Sequence, residues 1–221
     1  MTSNHDLLFI DGSIHLLVQW ACVDAGESLE DELERFCRVV RDSPVAWSTM
    51  PLGVVSALLD VLADEIDSAG SPPRPAEFDV RLARAAGDWP PAEFLRYLAE
   101  YLRDKDYESS PRFEELPMSR PEARIRFSQA FQILHRFVRI SSSDPYPDVE
   151  DAAGAAASTE HPIACGTVMA SAAAELQQIL LMFRSRKELD TLLGDFGWPP
   201  LSRQDLQSLL AAIHTHFDEQ H

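Results

Sequence analysis

Apolar residues recur three or four positions apart along most of the chain, with charged residues between them, which is the period of amphipathic helices. In ESLEDELERFCRVV, Leu29, Leu33, Phe36, Cys37 and Val40 share a face. Ser28 and Asp31 stand in capping positions there, and acidic residues fill the first turns, where the helix dipole favours them. TMPLGVVSALLDVLADEID opens on Thr49 and Pro51 and predicts a helix with Val54, Leu58, Val61, Leu62 and Ile66 inward. Asp60, Asp64 and Asp67 then form an opposite, solvated stripe. After the linker SAGSPPRP, a helix near 76–86 ends at Gly87, and DWPP opens another through AEFLRYLAEYLRDKD.

SRPEARIRFSQAFQILHRFVRI reads as one helix from Glu122 to Ile140, because Ser119 and Glu122 form a capping box and Phe127, Phe131, Leu134 and Val138 recur at helical spacing. The acidic, Ala- and Gly-containing stretch 141–160 breaks the pattern and predicts a mobile loop. Ile163 to Phe183 is apolar around most of its circumference and predicts a helix buried among the others. A short helix capped by Ser185 and Glu188 follows, then a last one started by Ser202 and Asp205. The one candidate strand is Leu7 to Gly12; a helix continuing through SIHLLVQWACV is the preferred reading. The fold class is therefore all-α: a bundle of about seven to nine helices in one domain, 1–221, packed around the 163–183 helix.

Two nearly identical phrases, GDWPP at Gly87 and GDFGWPP at Gly194, lie in the two halves. In each, Gly can end a helix in the left-handed conformation, the prolines suit the first turn of the next, and Trp89 or Trp198 can staple the corner to the core. This turn grammar explains every residue type; two loosely similar helical halves are the other reading.

Charge changes the picture more than composition does. The 36 Asp and Glu against 19 Lys and Arg give a net charge of −17, which repels phosphate backbones and anionic membranes and attracts basic partners. No stretch approaches the length of a membrane span. Cys22, Cys37 and Cys165 are too few and scattered for a disulfide framework or a C-x-x-C site, so a reducing cytoplasm is expected.

Catalytic grammar is sparse. His214, Asp218 and His221 share a helix face at steps of four and three and are candidates for a divalent cation, although a polar, fraying C-terminus explains the same letters. Cys165 near His161 offers a nucleophile and base, but the sequence supplies no orienting third group. No cofactor-binding Gly loop is present. LLFIDGSIHLL resembles the first strand and acidic metal ligand of PIN and NYN nucleases, which implies a metal at Asp11; that fold also needs later strands ending in Asp, which this chain lacks. RLARAAGDW and DFGWPPLSRQDL resemble two motifs of the B-cell-lymphoma family of helical apoptosis regulators. Leu82 stands one residue too far from Gly87 for that match, and the family's Trp-Gly-Arg motif is missing.

Charged surfaces remain. The acidic faces Glu30, Asp31, Glu32, Glu34, Asp60, Asp64 and Asp67 are candidates for meeting a basic protein. A basic stripe, Arg124, His135 and Arg139 with Ser128, either pairs with carboxylates of this chain or forms an interface, and opposed charges also permit a homo-oligomer. The expected function is a non-catalytic, cytoplasmic binding protein without cofactor, occluding a basic partner as an immunity protein, antitoxin or chaperone-like inhibitor would. A metal-dependent hydrolase or nuclease and a regulatory or scaffold subunit are the alternatives.

Overall fold

A computed structural model describes residues 12–23, 26–43, 51–68, 74–106, 108–142, 148–159, 161, 165–194 and 196–220. Among these residues helix is the only regular secondary structure, with eleven α-helices, one π turn and no strand. That is more than the about seven to nine expected from periodicity. One expected helix is two, and the expected loop contains another. No helix among the described residues is long and apolar enough to cross a membrane. The chain divides into two compact units, Met1–Glu122 and Ala123–His221, each with its own helices and core.

The first unit holds α1 (Ser13–Trp20), α2 (Leu29–Asp42), α3 (Leu52–Asp67), α4 (Ala76–Ala86) and α5 (Pro91–Lys105). The Ser28 hydroxyl caps α2 by accepting the Asp31 amide at 3.3 Å, and Leu33, Phe36, Cys37 and Val40 are buried as the period predicts. Helix α3 is turned from the expected orientation. It buries Leu52, Val55, Leu59, Leu62 and Ala63, whereas Val54 and Val61 are 49% and 55% exposed. Apolar residues populate two stripes of α3, so periodicity alone does not choose between them; its neighbour α5 does, by presenting Arg96 and Arg103 to the aspartates of α3.

A polar cluster is buried in this unit. Glu32, 1% exposed, accepts the Trp20 indole N–H at 2.6 Å, the Ser119 hydroxyl at 2.9 Å and the Arg35 guanidinium at 2.5 Å. Arg38 grips Glu122 through two hydrogen bonds of 2.9 and 2.5 Å and donates to the Pro111 and Leu116 carbonyls, with Phe113 lying 4.2 Å from its guanidinium. Every charge is matched by an opposite charge and further hydrogen bonds, the condition under which buried ions are tolerated.

The two Trp-Pro-Pro phrases prove unlike. In the first, Gly87 closes α4 at φ 58° and Pro91 begins α5. In the second, the left-handed glycine is Gly197 at φ 71°, not Gly194, and Pro199 and Pro200 precede α11, whose start is a reciprocal box between Ser202 and Asp205. Trp198 packs as expected, stacked on Phe196 and edge-on to Phe131. Trp89 does not: it is 51% exposed, with Phe94 and Tyr97 as ring neighbours.

The unit boundary falls within α6 (Arg120–Arg126), and the second unit continues with α7 (Ser128–Ser141), α8 (Val149–Ser158), a π turn (Cys165–Met169), α9 (Ala170–Met182), α10 (Arg186–Gly194) and α11 (Arg203–Gln220). The single helix expected from Glu122 to Ile140 breaks at Phe127, where Glu175 of α9 accepts the Gln129 and Ala130 amides, both at 2.8 Å, and so caps α7 from outside. Burial pushes the Glu175 carboxyl up, and those amides pull it back down. Inside the expected loop 141–160 lies α8, started by Asp148 accepting the Asp151 amide. Its Ala152, Ala153, Ala156 and Ala157 are fully buried and let α8 lie close along α11. Helix α9 buries Ala172, Ala173, Leu176, Ile179 and Leu180 but leaves Leu181 68% exposed, so the expectation of a helix at 163–183 buried among the others holds for one face only.

Candidate functional sites

Three features carry chemistry, each within one unit. In the first unit the acidic faces are mostly occupied. Asp60 pairs with Arg103 at 2.5 Å, Asp64 and Asp67 share Arg96 at 2.9 and 2.8 Å, and Glu34 holds Lys105 at 2.6 Å. Glu32 is buried and unavailable to any partner, a correction to its place on the expected docking face.

Glu30 differs. Its carboxylate accepts the Ser28 hydroxyl at 3.0 Å and the Tyr97 hydroxyl at 3.2 Å and meets no cation among the described residues. These bonds, led by its own backbone amide, hold its carboxyl below the usual range. Tyr97 stands between Trp89 and Tyr101 in a run of rings with centroids 5.3 and 6.3 Å apart. Burial and the nearby carboxylate of Glu30 push the Tyr97 phenol up. Glu93, Glu100 and Asp104 share the α5 face of Tyr97 and are exposed, as is Asp31 at the start of α2. The result is an exposed indole at one end of a run of aromatic rings, on a helix face that also carries carboxylates.

In the second unit, Arg124, Ser128 and His135 of the basic stripe line a groove of about 540 Å³ with Phe131, Phe196 and Trp198. The Arg124 guanidinium lies 5.9 Å from the Phe196 ring centre. Arg139 is exposed and outside this groove.

The third feature was not assembled by sequence reasoning. Cys165, fully buried at the start of the π turn, has its Sγ 3.2 Å from His216 Nε2 and 3.6 Å from His161 Nδ1. One ligand atom from each of the three lies within 4.8 Å of the others, and the imidazole rings meet edge-on at 5.2 Å. His161 is exposed; His216, 7% exposed, also lines a cleft of about 580 Å³ along α8 and α11, with Glu150, Ser158, Thr215 and Glu219. The sequence supplied no third group for Cys165 and His161; the structure brings His216 to the sulfur from 51 residues away. A signal for it existed: Leu206, Leu209, Ile213 and His216 continue one buried stripe at steps of three and four. His214 and Asp218, the expected metal candidates, are exposed on other faces of α11, and His221 and Asp11 lie outside the described residues.

Comparison with protein-family models, curated proteins and solved structures finds no match, leaving the chemistry of these features as the ground for a functional reading.

Proposed function

We propose that this chain is a binding protein that docks a cation-rich segment of a partner protein on the patch formed by Trp89, Tyr97, Glu30 and the exposed carboxylates of α5. The observation that carries this reading is the half-exposed Trp89 ring packed on Tyr97, whose hydroxyl reaches the Glu30 carboxylate, an acid in no ion pair among the described residues. An Arg or Lys side chain stacks on such a ring while its charge meets the carboxylates, and complementary fields speed the encounter. The aspartates of α3 contribute less, being paired already with Arg96 and Arg103. Docking by occlusion is the mode of an immunity protein, antitoxin or chaperone-like inhibitor, and the three free thiols suit a reducing cytoplasm.

Calorimetric titration of the full chain with a deca-arginine peptide at low salt tests the patch. Trp89→Ala and Glu30→Lys are each expected to weaken binding about threefold to tenfold, whereas Glu219→Lys, the same charge change in the second unit, leaves it unaltered. Equal losses from Glu30→Lys and Glu219→Lys would reduce the attraction to diffuse charge and overturn the reading. Sedimentation of the chain alone covers self-association: a dimer dissolved by Glu30→Lys and by Arg124→Glu would make the partner a second copy.

A further inference from the structure

The cluster in the second unit brings one sulfur and two imidazole nitrogens within 4.8 Å of one another. The thiol can donate to one imidazole while its sulfur accepts from the other, at 3.2 and 3.6 Å, and the same separations are those of ligands that share one metal ion. A tetrahedral zinc ion, with Zn–S of about 2.3 Å and Zn–N of about 2.0–2.1 Å, sets its sulfur and nitrogen ligands about 3.5 Å apart. The two observed separations bracket that edge.

We infer that Cys165, His161 and His216 form a binding site for a zinc-class divalent cation with three protein ligands and an exchangeable fourth position. The donor set is selective in kind: one thiolate and two imidazoles suit zinc, or cobalt(II) as its spectroscopic substitute, and exclude magnesium and calcium, which take oxygen. Two ligands, Cys165 and His216, are held by packing, which fixes their positions before the ion arrives. His161 is exposed and closes the site from the solvent side. Because His216 also lines the cleft along α8 and α11, the fourth position is open to water or to an oxygen, nitrogen or sulfur donor of a molecule bound there. Loading exchanges one proton: the Cys165 thiol gives it to solvent and its sulfur binds as thiolate, while both histidines bind neutral. The site is independent of the Trp89 patch, and failure of either leaves the other standing.

Cobalt(II) titration of the full chain, stripped with a chelator, decides it. The expected result is saturation at one equivalent, with a sulfur-to-cobalt charge-transfer band in the near ultraviolet, visible bands of tetrahedral cobalt, and displacement of both by zinc. Cys165→Ser should abolish the charge-transfer band. His161→Ala, which removes an exposed side chain and should leave the circular dichroism of the helices unchanged, should weaken cobalt binding by at least about tenfold. His214→Ala should bind as the parent does. Absence of the charge-transfer band at one equivalent overturns the site, as does cobalt that survives His161→Ala and departs with His214→Ala.

Discussion

The first unit carries 24 Asp and Glu against 11 Lys and Arg, and the second only 12 against 8. The difference extends inward. The first unit buries Glu32, Arg38 and Glu122 as a linked set of charges, while the second buries alanines between α8 and α11 and places a thiol and an imidazole together. Both solutions satisfy the rule that buried polar groups need partners, one by ion pairs and the other by contact between a thiol and an imidazole. Acidic residues by themselves therefore do not mark a docking face here. What matters is which of them lack a cation, and that separates Glu30 and Glu93 from Asp60, Asp64 and Asp67.

Three measurements sharpen this contrast. The largest effect is expected from Arg38→Ala, which leaves the Glu122 carboxylate buried without its bidentate partner and should cost about 3–5 kcal/mol in urea unfolding. A loss no greater than that of a surface substitution would mean that the polar cluster is not a core element of its unit. Next comes Ala156→Leu in the second unit, where a larger side chain has to force α8 away from α11 and should cost about 1–3 kcal/mol. If it is neutral, the alanine face is not closely packed. The smallest effect belongs to Asp60→Asn, since its ion pair with Arg103 is half exposed; about 0–1 kcal/mol is expected, vanishing at high salt. A double-mutant cycle with Arg103→Gln checks that value.

Local signals were legible wherever one stripe or one cap was unambiguous. Ser28, the 76–86 span ending at Gly87, Pro91 and the Ser185–Glu188 box all stand where the sequence puts them. The face of α3 was not, because Val54 and Val61 compete with Val55 and Leu59 and only the neighbouring helix decides. Helix α8 was missed for want of bulk: its alanines recur at helical spacing, but small residues among acids and a glycine read as a loop. The break at Phe127 depends on Glu175, a carboxylate 46 positions from Gln129, which no local window contains. Of the proposed metal cluster, the Cys165–His161 pair is visible from its spacing, whereas His216 shows only as the continuation of the apolar stripe Leu206, Leu209 and Ile213, beside the more regular polar spacing of His214 and Asp218.

The π turn at Cys165–Met169 gives that cluster an unusual dependence on sequence length. Such a turn is an α-helix carrying one surplus residue, so removing one codon, that of Gly166 for instance, would restore ordinary winding and swing the sulfur about 100° around the axis, away from the His216 imidazole. For this corner of the molecule a single in-frame deletion is thus as great a hazard as the loss of one of its three side chains.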